Sequence, residues 1–103
     1  MWDLTFGGII ILMTDKELDH YNKQQLKKRL AEIKESAGCF DCGVSNHIVL
    51  DFDHLRDKKY NISRMVHDGF SWKAIKREIE KCQVVCANCH RIRTHNRFMG
   101  LIA

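Results

Sequence analysis

Four of the five cysteines in the chain form two pairs, and two residues separate the members of each pair. The pairs are Cys39/Cys42 and Cys86/Cys89, and 43 residues lie between Cys42 and Cys86. Each Cys-x-x-Cys turn can supply two thiolates from one backbone loop, and two such turns complete the tetrahedral set that zinc prefers. We therefore expect a zinc site that joins two distant segments. The alternative is a set of buried or redox-active thiols, although a thioredoxin-like motif has a single pair in a βαβ context.

Three more residues that can bind metal or transfer protons lie beside these pairs. Asp53 and His54 follow a predicted strand, and His90 follows Cys89 at the start of a predicted helix. If zinc draws the two segments together, the three side chains converge. A carboxylate and an imidazole can hold a divalent ion, and a second imidazole can take a proton from water, so these groups suit metal-assisted phosphodiester hydrolysis. The alternative for His90 is that it competes as a further ligand for the zinc.

The elements that must position these residues form an α+β pattern. "TDKE" at residues 14–17 matches a capping box, and apolar residues then recur at near-helical spacing until Gly38. We expect a two-stranded β-hairpin, a long N-terminal amphipathic helix and a second helix between the cysteine pairs. The predicted elements are a helix at 15–37, a strand at 48–52, helical turns within 63–69, a helix after Ser71, a strand at 83–85 and a helix at 87–97.

Length and charge indicate one small domain with an affinity for polyanions. A domain of 103 residues often needs a staple such as a metal site. The net charge of +4 is a mild basic excess, and the basic residues collect in the C-terminal third, where they suit a phosphate backbone. The residues expected to contact nucleic acid are Arg91, Arg93, Arg97, Lys73 and Lys76.

The sequence carries no convincing secretory signal. The apolar run "FGGIIILM" lacks a basic leader and is too short to span a bilayer. Since paired cysteines usually bind metal in a reducing compartment, we expect a cytoplasmic protein without a membrane partner. Residues 1–13 are interpreted as an N-terminal extension of uncertain status, and residues 14–38 as the N-terminal helix.

The order of the motifs resembles the HNH endonucleases of the ββα-metal type, which have a treble-clef zinc-binding scaffold. That order is Cys-x-x-Cys, an aromatic residue followed by "DH", and Cys-x-x-Cys-His followed by basic residues. The stretch "LDFDHLRDKKYNIS…EIEKCQVVCANCHRIRTH" is similar to small phage and prokaryotic members. The resemblance covers about residues 36–97, and residues 39–98 are interpreted as the nuclease domain.

The resemblance implies a role for each matching residue. His54 would be the general base that activates water, while Asp53 and His90 would hold a catalytic divalent ion, magnesium or another metal. The four cysteines would hold a structural zinc. Cleavage of the bond to the 3′ oxygen would leave 5′-phosphate and 3′-hydroxyl ends.

The asparagine of the HNH motif is the point at which this chain departs from the family. Many members carry it shortly before the third cysteine, where this chain has Lys81 and Cys82. Asn61 is expected to serve instead, by bracing the loop that presents His54. Asn88 is the alternative.

The sequence thus predicts a metal-dependent endonuclease that acts on duplex DNA. Paired cuts on a duplex would favour a homodimer. The alternative function is a zinc-stapled module that binds nucleic acid without cutting it, and a third is an adaptor whose zinc only holds the fold.

Overall fold

The computed structural model describes residues 14–100. The predicted extension at 1–13 therefore lies outside the described residues, which begin with the helix cap Thr14. Within residues 14–100 the chain forms four α-helices and one antiparallel strand pair, which confirms the α+β class. The elements are α1 (Asp15–Ala37), a 3₁₀ turn (His47–Val49), β1 (Leu50–His54), α2 (Ile62–His67), α3 (Trp72–Ile79), β2 (Cys82–Cys86) and α4 (Ala87–Phe98).

The first helix begins and ends where its capping signals predict. The Thr14 N–H donates to Glu17 Oε1 at 2.9 Å, and the Glu17 N–H donates to Thr14 Oγ1 at 3.1 Å, so the capping box is complete. Gly38 ends the helix with φ +69°, and its N–H donates to the Lys34 carbonyl at 2.8 Å. Leu30 is the buried residue of α1, and it anchors the helix to α2 and α3.

The first strand begins two residues later than the sequence predicts. The Asn46 side chain accepts the Ile48 N–H at 3.0 Å and starts the 3₁₀ turn, which takes Ile48 and Val49 out of the strand. Asp53 and His54 consequently lie within β1 rather than after it. Their partners in β2 are Gln83 and Cys82, in antiparallel register.

Two apolar clusters hold these elements together, and Phe52 contacts both. The first joins α1, α2 and α3 through Leu30, Ile62, Met65, Val66 and Ile75. The second lies under the strand pair and includes two of the paired cysteines: Cys39, Leu50, Val84, Val85 and Cys86. Because Cys39 and Cys86 belong to this cluster, the same core that holds β1 and β2 together also fixes the positions of these two cysteines.

Candidate metal centre and the adjoining cavity

The four paired cysteines come together at one end of the strand pair. Their sulfur atoms all lie within 4.8 Å of one another, and the Sγ atoms of Cys42 and Cys86 are 3.7 Å apart. Four sulfurs at the Zn–S bond length of about 2.3 Å from one ion would be separated by about 3.8 Å. The cluster could therefore hold a metal ion such as zinc, in agreement with the sequence prediction.

Each cysteine pair sits in a turn that points backbone N–H groups at sulfur. The Cys42 N–H donates to Cys39 Sγ, and the Cys89 N–H donates to Cys86 Sγ, both at 3.4 Å. Cys86 is also the N-cap of α4, so its sulfur lies at the positive end of that helix. Such donors favour the thiolate, which is the form that binds metal.

The pKa values of two cysteines diverge because the four thiols hydrogen-bond to one another and receive different numbers of backbone N–H donors. Burial opposes ionisation of Cys39, but backbone N–H groups outweigh it and lower the pKa of its thiol to about 6. The hydrogen bond to the Cys86 sulfur, followed by burial, raises the pKa of Cys89 to about 12. A bound divalent cation would remove the cost of ionising neighbouring thiols, since a thiol that coordinates a metal is deprotonated.

Asp53 is a buried carboxylate on the face of β1 that packs against α4, and it is only 2% exposed. Arg97 binds both of its oxygens, at 2.9 and 2.8 Å, and Arg93 binds one of them at 2.8 Å. Burial opposes ionisation, but the two guanidinium groups outweigh it and lower the pKa of Asp53 to about 2. Asp53 is therefore charged and fully engaged by arginine.

Arg93 also connects α4 to the first cysteine turn. Its Nε and Nη2 donate to the two carboxylate oxygens of Asp41 at 2.7 and 2.8 Å. The side chain of Arg93 is 13% exposed and that of Arg97 is 39% exposed. The predicted nucleic-acid contacts at these two residues stay predictions, and in this structure both guanidinium groups bind carboxylates of the protein.

His90 lies between two carboxylates of β1. Its Nδ1 is 3.3 Å from Asp51 Oδ2, and its Nε2 is 3.5 Å from Asp53 Oδ1. Asp51 and Asp53 share one face of the strand because side chains alternate along it. The structure thus brings His90 and Asp53 together, as their sequence positions predict, and adds Asp51 to the group.

His54 contacts a carboxylate that the sequence analysis did not single out. Its Nε2 is 3.0 Å from Glu78 Oε2, and Glu78 is 3% exposed. The same Glu78 oxygen accepts the Lys59 N–H at 2.9 Å, and the other accepts Lys81 Nζ at 3.0 Å. Burial opposes ionisation of Glu78, but the Lys59 amide and Lys81 outweigh it and lower its pKa to about 2.

The burial of Glu78 could have been predicted from its position in the apolar stripe of α3. It follows Ile75 by three residues, and Ile75 is fully buried, so helical spacing places the acid on the buried face. A buried carboxylate needs compensating donors, which makes such an acid a candidate for a specific role.

A cavity of about 340 Å³ opens beside the strand pair. His54, Asn61 and His90 all line it, together with Asp51 and the lysines Lys34 and Lys58. Asp53 is not among the lining residues, and its Oδ1 lies 3.5 Å from Nε2 of the lining residue His90. Three of the predicted site residues, the catalytic His54 and Asn61 and the metal ligand His90, therefore share one cavity, while the predicted ligand Asp53 does not line it.

Asn61 occupies the N-cap of α2. Its side chain accepts the Ser63 N–H at 3.2 Å and the Ser63 hydroxyl at 2.9 Å. These bonds start the helix that borders the cavity. The predicted bracing of the His54 loop is made in this structure by Glu78, which accepts the amides of Lys59 and Tyr60.

The remaining predicted nucleic-acid contacts are Arg91, Lys73 and Lys76, and all three are exposed.

Among the helices in residues 14–100, none has the length and apolarity needed to cross a membrane. Comparison of the chain with family models, curated proteins and solved structures finds no match.

Proposed function

We propose that this protein is a metal-dependent endonuclease of the HNH type, which hydrolyses phosphodiester bonds of DNA and carries a structural zinc on its four paired cysteines. The observation that supports this most is the shared cavity. His54, Asn61, His90 and the strand carboxylate Asp51 line it, and His90 directly follows Cys89 of the cysteine cluster in the chain. The proposal also rests on the order of motifs that resembles the family.

His54 is the proposed general base, and Glu78 sets which of its nitrogens performs that role. An ionised carboxylate can only accept hydrogen bonds, so the neutral ring donates from Nε2 to Glu78. Nδ1 then carries the lone pair that accepts a proton from water. Glu78 also stabilises the positive charge that the ring acquires, and we assign it as a positioning residue.

Asp53 and His90 are the proposed ligands of the catalytic divalent ion, magnesium or another metal. The ion, when bound, would stabilise charge on the leaving 3′ oxygen. His90 Nε2 and Asp53 Oδ1 are 3.5 Å apart, about 0.5 Å more than adjacent ligands of an octahedral ion at about 2.1 Å, so a small approach of the two side chains would let them share one ion. Asp51 is the alternative carboxylate, because it lines the cavity and is half exposed whereas Asp53 binds two arginines.

Nicking of supercoiled plasmid by the purified protein tests the hydrolytic proposal. We expect cutting that requires an added divalent ion, and we expect His54→Ala to abolish it while zinc content and melting temperature stay near wild type. A general base contributes roughly 10²- to 10⁴-fold to rate. Normal cutting by His54→Ala would overturn the assignment.

The second candidate function is a zinc-stapled module that binds nucleic acid without cutting it. It is favoured by one observation: the carboxylate expected to bind the catalytic ion is occupied by Arg93 and Arg97. Such a module would bind DNA in the same purified state but leave plasmid intact at every divalent ion concentration.

A further inference from the structure

Within the described part of the chain, a groove between α1 and α2 is lined by basic and apolar side chains and one serine, and by no acidic side chain. Its volume is about 420 Å³. Leu30, Ala31 and Val66 form its apolar part. The titratable residues that line it are Lys23, Lys27, Lys34, His47 and His67.

The three lysines form one stripe along α1. They recur at spacings of four and seven residues, so they share the helix face that carries Leu30. From Lys23 to Lys34 the helix rises about 16 Å at 1.5 Å per residue. That length matches about five nucleotides of one DNA strand at 3.4 Å each.

Two lysines of the stripe form no ion pair within residues 14–100. Lys23 pairs with Asp19 at 3.1 Å, and both groove histidines pair with neighbouring carboxylates. Within residues 14–100 Lys27 makes no ion pair, and Lys34 Nζ instead lies 5.2 Å from the centroid of the Phe52 ring. Lys27 is thus fully available to an anion, whereas Lys34 is half-buried and is also attracted to Asp51.

The groove continues into the cavity that contains His54 and His90. Leu30, Lys34 and Ser63 line both spaces. An extended anionic chain that follows the lysine stripe would therefore reach the candidate catalytic histidines at its end.

We infer that this groove binds the sugar–phosphate backbone of the DNA strand that enters the cavity. The inference rests on the proposed function and names the surface by which that site holds its substrate. It places the backbone contacts on α1, whereas the sequence analysis placed them in the C-terminal third. Two of those C-terminal residues, Arg93 and Arg97, already bind Asp53.

Lys27→Ala and its neighbour Lys28→Ala form a matched pair that tests the groove. Both remove one charge from the middle of the same helix, but Lys28 lies about 100° further round and does not line the groove. Zinc-loaded protein without added magnesium would be titrated with labelled duplex DNA at several salt concentrations. We expect Lys27→Ala to reduce the slope of log K against log salt by about one, and Lys28→Ala to leave it unchanged.

The outcomes separate the groove from the nuclease proposal. Equal slopes for the two variants would overturn the groove, and plasmid nicking by the wild type would still stand. A Lys27-dependent slope without any nicking would support the groove and count against hydrolysis. Polyglutamate that displaces the labelled duplex more readily than unlabelled DNA of equal charge would show that the groove takes an acidic peptide, which would also overturn the inference.

Discussion

Asp53 and Glu78 are two buried carboxylates with the same burial and charge but with different partners. Each is at most 3% exposed, and each has a pKa lowered to about 2 by donors that outweigh burial. Asp53 binds two arginines, which do not release protons at any ordinary pH. Glu78 binds His54, an imidazole of the kind that serves as an acid or base in many enzymes. A low pKa in a buried acid therefore does not identify a reactive site, and the chemistry of the partner does.

Removal of the proposed zinc should have the largest effect on stability, and it should affect the region around Asp53 more than the region around Glu78. Arg93 connects Asp53 to Asp41 in the first cysteine turn, so loss of the metal loosens the Asp53 side first. Because metal binding in small domains contributes directly to folding, we expect a zinc-selective chelator to unfold the strand pair and α4. Circular dichroism with amide exchange measures this. Amide protection of α4 that survives chelation would contradict a structural metal on these cysteines.

Asp53→Asn should give the next largest effect, on stability. It leaves Arg93 without one carboxylate and Arg97 without its only one among residues 14–100, and breaking a buried ion pair by removing one partner costs about 3 kcal/mol or more. Urea unfolding of zinc-loaded protein measures the loss. A change below about 0.5 kcal/mol would show that the arginines find solvent or other acceptors at no cost.

The fall in unfolding free energy at acidic pH should depend in part on Glu78. Its pKa is lowered from 4.5 to about 2, so the stability it contributes is complete above the unfolded value and is lost as pH falls from about 4.5 to about 2. A shift of this size corresponds to about 3 kcal/mol. Glu78→Gln lacks this titration, and the difference in unfolding free energy between wild type and variant should shrink over that pH range. A difference that stays constant with pH would contradict the lowered pKa of Glu78.

Glu78→Gln should also slow cutting, by about 10- to 100-fold in kcat with little change in KM, because the glutamine loses the charge that stabilises the protonated ring. Lys81→Met is the control, since it removes a partner of Glu78 and leaves the His54 contact intact. If both variants slow cutting equally, Glu78 acts only through stability.

Asp51→Asn should have the smallest effect on stability, within about 0.5 kcal/mol, since its side chain is half exposed and its interactions are an ion pair with His90 and an attraction to Lys34. Its effect on cutting decides between the two carboxylates of β1. Unchanged cutting assigns the ion to Asp53 and His90, while a loss as large as that of His54→Ala assigns it to Asp51 instead.

Local signals in the sequence predicted most of the fold. The caps at Thr14 and Ser71 and the glycine at 38 placed the helices, and the Cys-x-x-Cys spacing predicted the cluster. The 3₁₀ turn was missed because its cap, Asn46, precedes β-branched residues that are typical of a strand.

The partners of the charged side chains were beyond the sequence, because they depend on distant contacts. Arg93 binds carboxylates 40 and 52 residues away, and composition cannot say whether an arginine meets an acid or a phosphate. Helical spacing from Ile75 indicates that Glu78 faces the core, but its partner His54 is 24 residues away and depends on how α3 packs against β1. The shared cavity likewise depends on α1, which contributes Leu30 and Lys34 to it.

The pairing of Cys86 with Leu50 across the strands gives the cysteine cluster a further property. If β2 slipped by one residue against β1, Cys86 would turn to the opposite face and its sulfur would leave the other three. An ion that needs four sulfur ligands would then bind only strands in the correct register, so metal binding would selectively stabilise that register over misaligned ones.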